Sequence, residues 1–155
     1  MKTTEEWFRG MLERRGVSRP DSRMLYAYRL GQEEYEWLKT FLSDIAVTGD
    51  WRQLALRNRM FAALFVLYCA EWWRREYSGG AWRWSAIFES VKVNPNEISA
   101  NERSHFVETG FAYWGHRTTG DGKRFFGAVV AHGGLPLKAL GLGQKKLGDL
   151  MSAVL

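Results

Sequence analysis

Residues 60–70, Met-Phe-Ala-Ala-Leu-Phe-Val-Leu-Tyr-Cys-Ala, are apolar without a break. Eleven such residues are too few for the ~20 that a membrane-spanning helix requires. A helix that is apolar on every side must instead be surrounded by the rest of its own domain. This segment sits inside a longer helical stretch that starts at Gly49-Asp50 and runs to about Tyr77, before Gly79-Gly80 ends it. The expected fold is therefore a mainly α, single-domain helical bundle built around a central buried helix at about 50–77.

The remaining elements follow from capping and periodicity. Thr3-Thr4-Glu5-Glu6 supplies a cap and early acids, and Arg14-Arg15-Gly16 closes the first helix. Apolar residues at 35, 38, 41, 42 and 45 have helical spacing. Residues 82–91 read as a short helix, Asn94-Pro95-Asn96 as a turn, and Ser99 or Asn101 as the cap of a helix reaching Trp114. Two segments read as strands of a minor two-stranded element, 24–30 and 124–131, while 135–140 and 144–155 read as helices. No repeat or linker divides residues 1–155, and the still-apolar ending Met-Ser-Ala-Val-Leu155 reads as that of an N-terminal fragment of a larger protein.

Function classes are narrowed mainly by exclusion. His105 and His116 share a helical face but stand about 16 Å apart along the axis, too far for one metal. His105 and Glu108 have the spacing of two ligands, with nothing nearby to complete a set. Gly122-Lys123 lacks the first glycine and the Ser/Thr of a phosphate-binding loop, and leads into a predicted strand instead of a helix. Gly141-Leu-Gly143 continues to Lys146 where a dinucleotide motif has glycine. Pro20-Asp21 and Asp121-Gly-Lys123 imitate the letters of a PD-(D/E)xK nuclease, but the two parts lie about 100 residues apart and Asp121 belongs to a Gly-Asp-Gly turn. Cys69, the single cysteine, lies in the apolar run, and no serine sits in a nucleophile elbow. No metal, cofactor or catalytic residue is assigned. Convergence of His105, Glu108, His116 and His132 would reopen the question.

What the sequence offers positively is charge and aromatics. The chain carries 22 Lys and Arg against 17 Asp and Glu, and eight Trp beside nine Phe and six Tyr. So many indoles exceed what one core holds, which places some in a groove or interface. They concentrate between residues 72 and 84, where Trp72, Trp73, Trp82 and Trp84 alternate with Arg74, Arg75 and Arg83. Arg52 and Arg59, seven residues apart, extend the cations along one helical face. Guanidinium groups neutralise phosphates while rings stack on bases, so the set fits a nucleic-acid contact; a protein–protein contact fits the same residues. The lone cysteine and the absence of a leader-like N-terminus fit a cytoplasmic protein with no membrane segment.

Trp82-x-Trp84-x-x-Ile87-Phe88, Glu102-Arg103, Tyr113-Trp114-Gly115, Phe125-Phe126-Gly127 and Gly133-Gly134-Leu135-Pro136 together resemble the N-terminal region of large bacterial anti-phage defence-island proteins of the helicase-associated, Druantia-like kind. The resemblance implies a bacterial component of a larger assembly and supplies no catalytic residue. The resulting expectation is a non-catalytic binding module of a defence protein that contacts nucleic acid. The alternative is a scaffold that docks a partner subunit such as a helicase.

Overall fold

The computed structural model describes residues 3–77, 84–116, 129, 130 and 132. Six helices order these residues: α1 (Thr4–Glu13), α2 (Gln32–Thr48), α3 (Trp51–Arg57), α4 (Arg59–Glu76), α5 (Trp84–Ser90) and α6 (Ala100–Tyr113). Two short 3₁₀ turns, Leu25–Tyr28 and Pro95–Glu97, complete them, and no strand occurs among the described residues.

α4 is the axis of the bundle. Every residue from Phe61 to Glu71 is buried, most of them completely. α6 packs most closely along it, with α2, α3 and the first 3₁₀ turn on other sides. The α4–α6 approach depends on Gly110. A Cβ there would lie 2.4 Å from the Ala62 carbonyl oxygen and 2.8 Å from Val66 Cγ1. One turn on, Trp114 is fully buried and its indole N–H donates to the Ala63 carbonyl at 2.9 Å. These contacts fix α6 to the middle of the run from which the fold was inferred.

The predicted 50–77 helix is two helices. Asn58 leaves the helical region (φ −110°, ψ 111°), and its side chain accepts the Phe61 N–H at 3.0 Å, capping α4. Asparagine competes with the helical backbone in this way, so the break is local chemistry that apolar periodicity overlooks. Trp51, at the start of α3, enters the core and is met edge-on by Phe61, Phe65, Phe88 and Phe106 at 5.0–5.8 Å.

The strand expected at 24–30 is also corrected. Leu25 and Tyr28 are buried while Tyr26 is 43% exposed, a three-residue spacing that a 3₁₀ turn produces and a strand does not. Arg29, at φ 43°, then turns the chain. Of the second expected strand, Val129 and Val130 have helical backbone and are buried; 124–128 and 131 lie outside the described residues, as do the helices read at 135–140 and 144–155.

Elsewhere the caps behave as their chemistry requires. Thr3 accepts the Glu6 N–H, and Ser99 accepts the Glu102 N–H while Glu102 accepts the Ser99 N–H, all at 3.1 Å. Ser99 is thus the cap, not Asn101. Gly49 closes α2 at φ 89°, a conformation that other residues reach only with strain.

Candidate functional site

The C-terminal turns of α4 hold the densest part of the predicted Arg/Trp set, and a buried carboxylate organises them. Glu71 is 2% exposed. Its Oε1 accepts the Leu30 N–H at 3.2 Å, and its Oε2 accepts from Arg74 at 2.6 Å and Arg75 at 3.0 Å. Arg75 continues to the Leu30 carbonyl and to Gln32 Oε1, and lies over the Tyr35 ring at 4.8 Å. Arg75 thus ties α4 to the entry of α2 while Arg74 pairs with Glu71 within α4, and their side chains are only 16% and 18% exposed. A carboxylate three and four residues before two arginines is a readable helical pairing signal, and it was the one available clue to this arrangement.

The tryptophans mostly face inward. Trp73 is 1% exposed and stacks on Tyr77 at 4.0 Å. Trp84 is buried against Phe88, with the Arg103 guanidinium 5.3 Å over its ring. Trp72 is half-buried against the core. Trp82 and Arg83 lie outside the described residues. Of the seven described indoles, Trp37 and Trp72 alone keep appreciable exposure.

Arg52 and Arg59 stand apart from that cluster. Arg52 pairs with Glu102 of α6, and this guanidinium together with the Ser99 N–H lowers the Glu102 pKa. Arg59, exposed at the first position of α4, lines a groove of about 490 Å³ with His105, Glu108, Thr109, Ala112 and Tyr113 of α6. The same carboxylate pairing recurs in the first turn of α2, where Arg14 and Arg15 both bind Glu34. Burial opposes ionisation of Glu34, but Arg15, the Gly31 N–H and Arg14 outweigh it and hold the carboxyl at about 2.

Charge follows the pairing. The whole chain has 22 Lys and Arg against 17 Asp and Glu; the described residues have 14 against 15, leaving 8 against 2 for the remainder. The positive balance read from composition therefore does not belong to the described helical body.

The histidines divide into two places. His105 and Glu108 line the Arg59 groove. His116 and His132 instead pack ring to ring at 4.3 Å, 76° apart. His116 Nε2 donates to the Arg23 carbonyl at 2.9 Å, and His132 Nδ1 accepts the Leu25 N–H at 3.0 Å. Burial, with His116 alongside, pushes the His132 pKa down to about 4. This pair clasps the first 3₁₀ turn to the end of α6. Cys69 is fully buried, which pushes its thiol pKa up and away from nucleophilic character. Among the described residues, no three His, Cys, Asp or Glu side chains gather in a metal-binding group. Nor is any helix among them long and apolar enough to cross a membrane.

The fold and its site define a helical domain in which half of the described arginines are paired with carboxylates. By sequence, residues 1–135 match the family described as the YjiT N-terminal domain, and the chain belongs to that family. It is 30% identical over 154 residues to Protein YjiT of Escherichia coli (strain K12), an alignment covering 96% of this chain and 28% of that relative. The chain thus spans little more than a quarter of the relative's length. No solved structure matches it.

Proposed function

We propose that this domain is a non-catalytic docking module that binds the remainder of a longer YjiT-type chain or assembly, through the groove between Arg59 and the outer face of α6. The observation that carries this reading is the charge balance of the described body, 14 cations against 15 anions, with six of its twelve described arginines held by carboxylates. A phosphate backbone needs unopposed cations. The groove offers Arg59 and His105 beside Glu108, a mixture of signs that suits a polypeptide surface better than a nucleic acid. The occupant is argued from length: in the E. coli relative, most of the chain lies outside the matched region.

The test is to express the matched region of E. coli YjiT and its remainder as separate pieces and measure their association by calorimetry. A 1:1 complex weakened by reversing the charge aligned with Arg59 is expected. Absence of association at tens of micromolar, a range where specific docking is measurable, would overturn the reading.

A second reading, contact with nucleic acid, is favoured by the 8 Lys and Arg against 2 Asp and Glu outside the described residues, Arg83 beside Trp82 included. Fluorescence anisotropy with labelled single-stranded DNA separates the two. Binding that falls steeply with added salt supports the second reading, because released counterions dominate such affinities. The resemblance to defence-island proteins extends either reading to an antiviral assembly in bacteria, with a helicase subunit as the expected partner. Unchanged phage plaquing after deletion of the gene would remove that extension.

A further inference from the structure

Where α2 gives way to α3, Gly49, Trp51 and Arg52 face the loop after α5, which contributes Lys92, Asn94 and Glu97. Together they line a small pocket of about 60 Å³. Such a space holds roughly four water-sized groups, enough for a carboxylate or a phosphate and too little for a larger ligand. Trp51 is 3% exposed, and its indole N–H is fully buried with no hydrogen-bond partner. Trp114, whose equally buried N–H is met by the Ala63 carbonyl, shows how the same core satisfies such a donor elsewhere. Four aromatic rings surround Trp51, and rings of that kind supply no acceptor oxygen. Buried donors are nearly always satisfied, so an orphan beside a cavity points to an occupant.

The rest of the lining tells what the occupant must present. Lys92 stands at the rim as the left-handed cap (φ 64°) that ends α5, where its own N–H and that of Val93 return to the Glu89 and Phe88 carbonyls at 3.0 and 2.9 Å. Asn94 Oδ1 already accepts the Asn96 N–H at 3.0 Å, which leaves the amide NH₂ as its available donor. Arg52 shares its guanidinium with Glu102 but still lines the space. Donors therefore outnumber the one carboxylate, Glu97. We propose that this pocket binds a small oxyanion of carboxylate or phosphate size, held by the Trp51 indole N–H and the Lys92 ammonium. The proposal is independent of the docking groove, which lies along the outer face of α6.

A water molecule would satisfy the same N–H, and the experiment is chosen to separate the two. In ¹H–¹⁵N spectra of the labelled protein, the Trp51 indole resonance is followed during titration with sodium acetate or sodium phosphate. Sodium chloride at matched ionic strength and constant pH is the reference. Assignment comes from the signal lost in Trp51→Phe or, if that variant does not fold, from through-space contacts in the native protein. A saturable shift of this resonance with acetate, phosphate or both is expected, with apparent affinity about two- to fivefold weaker in Lys92→Met, the loss appropriate to one ion pair at an exposed site. A response to both oxyanions identifies the general class, and a response to phosphate alone narrows it to phosphate. No movement up to about 50 mM, or the same movement with chloride, overturns the proposal and assigns the pocket to water.

Discussion

Replacing Gly110 with alanine tests the central packing of the fold. In an isolated helix the change stabilises by about 1 kcal/mol, because alanine loses less backbone freedom. Here the added Cβ would sit 2.4 Å from the Ala62 carbonyl oxygen, 2.8 Å from Val66 Cγ1 and 2.9 Å from the Ala62 carbonyl carbon. Two of these neighbours are backbone of the buried helix α4, which cannot swing aside as a side chain does. Relief requires moving α6 off α4 by several tenths of an ångström along their whole contact, and overpacking of this kind costs roughly 3 kcal/mol at the upper end of its usual range. The net loss is about 2 kcal/mol, or a melting temperature lower by about 4–8 °C for a chain of this size. Circular dichroism melts and guanidinium titrations measure it. Gly10→Ala is the internal control: the new Cβ meets only the far end of Arg14, at 3.2 Å, so this variant should gain about 0.5–1 kcal/mol. If Gly110→Ala melts at or above the native temperature, α4 and α6 do not cross as described and the reasoning fails.

Other outcomes follow from the polar contacts. Glu71→Gln keeps an acceptor for Leu30 but leaves two guanidinium groups without a counter-charge; a loss of about 3 kcal/mol is expected from chemical denaturation, at the low end for a broken buried pair because both arginines reach some solvent. Asn58→Ala removes the cap that separates α3 from α4 and should cost about 1 kcal/mol in the same titration. His132 gives a pH dependence of definite sign. Its folded pKa, about 4, lies below the ordinary 6.5, so the unfolded chain takes up the proton first. Stability should be level above pH 6.5 and fall as pH drops from there towards 4, by up to about 3 kcal/mol. His132→Gln should flatten that window; an unchanged slope between pH 6.5 and 4 would refute the assignment. Glu34, held at about 2, adds a separate loss between pH 4.5 and 2, which Glu34→Gln should remove.

The sequence by itself determined the helical class, the central position of the 60–70 run, a cap for α1 within Thr3-Thr4, a choice of Ser99 or Asn101 as the cap of α6, and the approximate limits of α1, α2, α5 and α6. These are consequences of short-range chemistry: periodic burial, cap hydrogen bonds and glycine at helix ends leave their mark within a few neighbouring residues. The break at Asn58 was also local, but one polar residue in a strongly periodic stretch was outvoted by the pattern around it. The 24–30 turn was misread because its alternation of apolar residues fits a three-residue spacing as readily as a two-residue one. Tertiary structure alone decided what the charges and rings do. That Glu71 accepts the Leu30 N–H, that Arg75 reaches the Leu30 carbonyl, that Arg52 meets Glu102, and that Gly110 admits the Ala62 carbonyl depend on which helices meet, between residues about 40–50 apart in sequence. Composition registers a cation or an indole but not its partner, since pairing energy depends on distance in space and the chain sets only distance along itself.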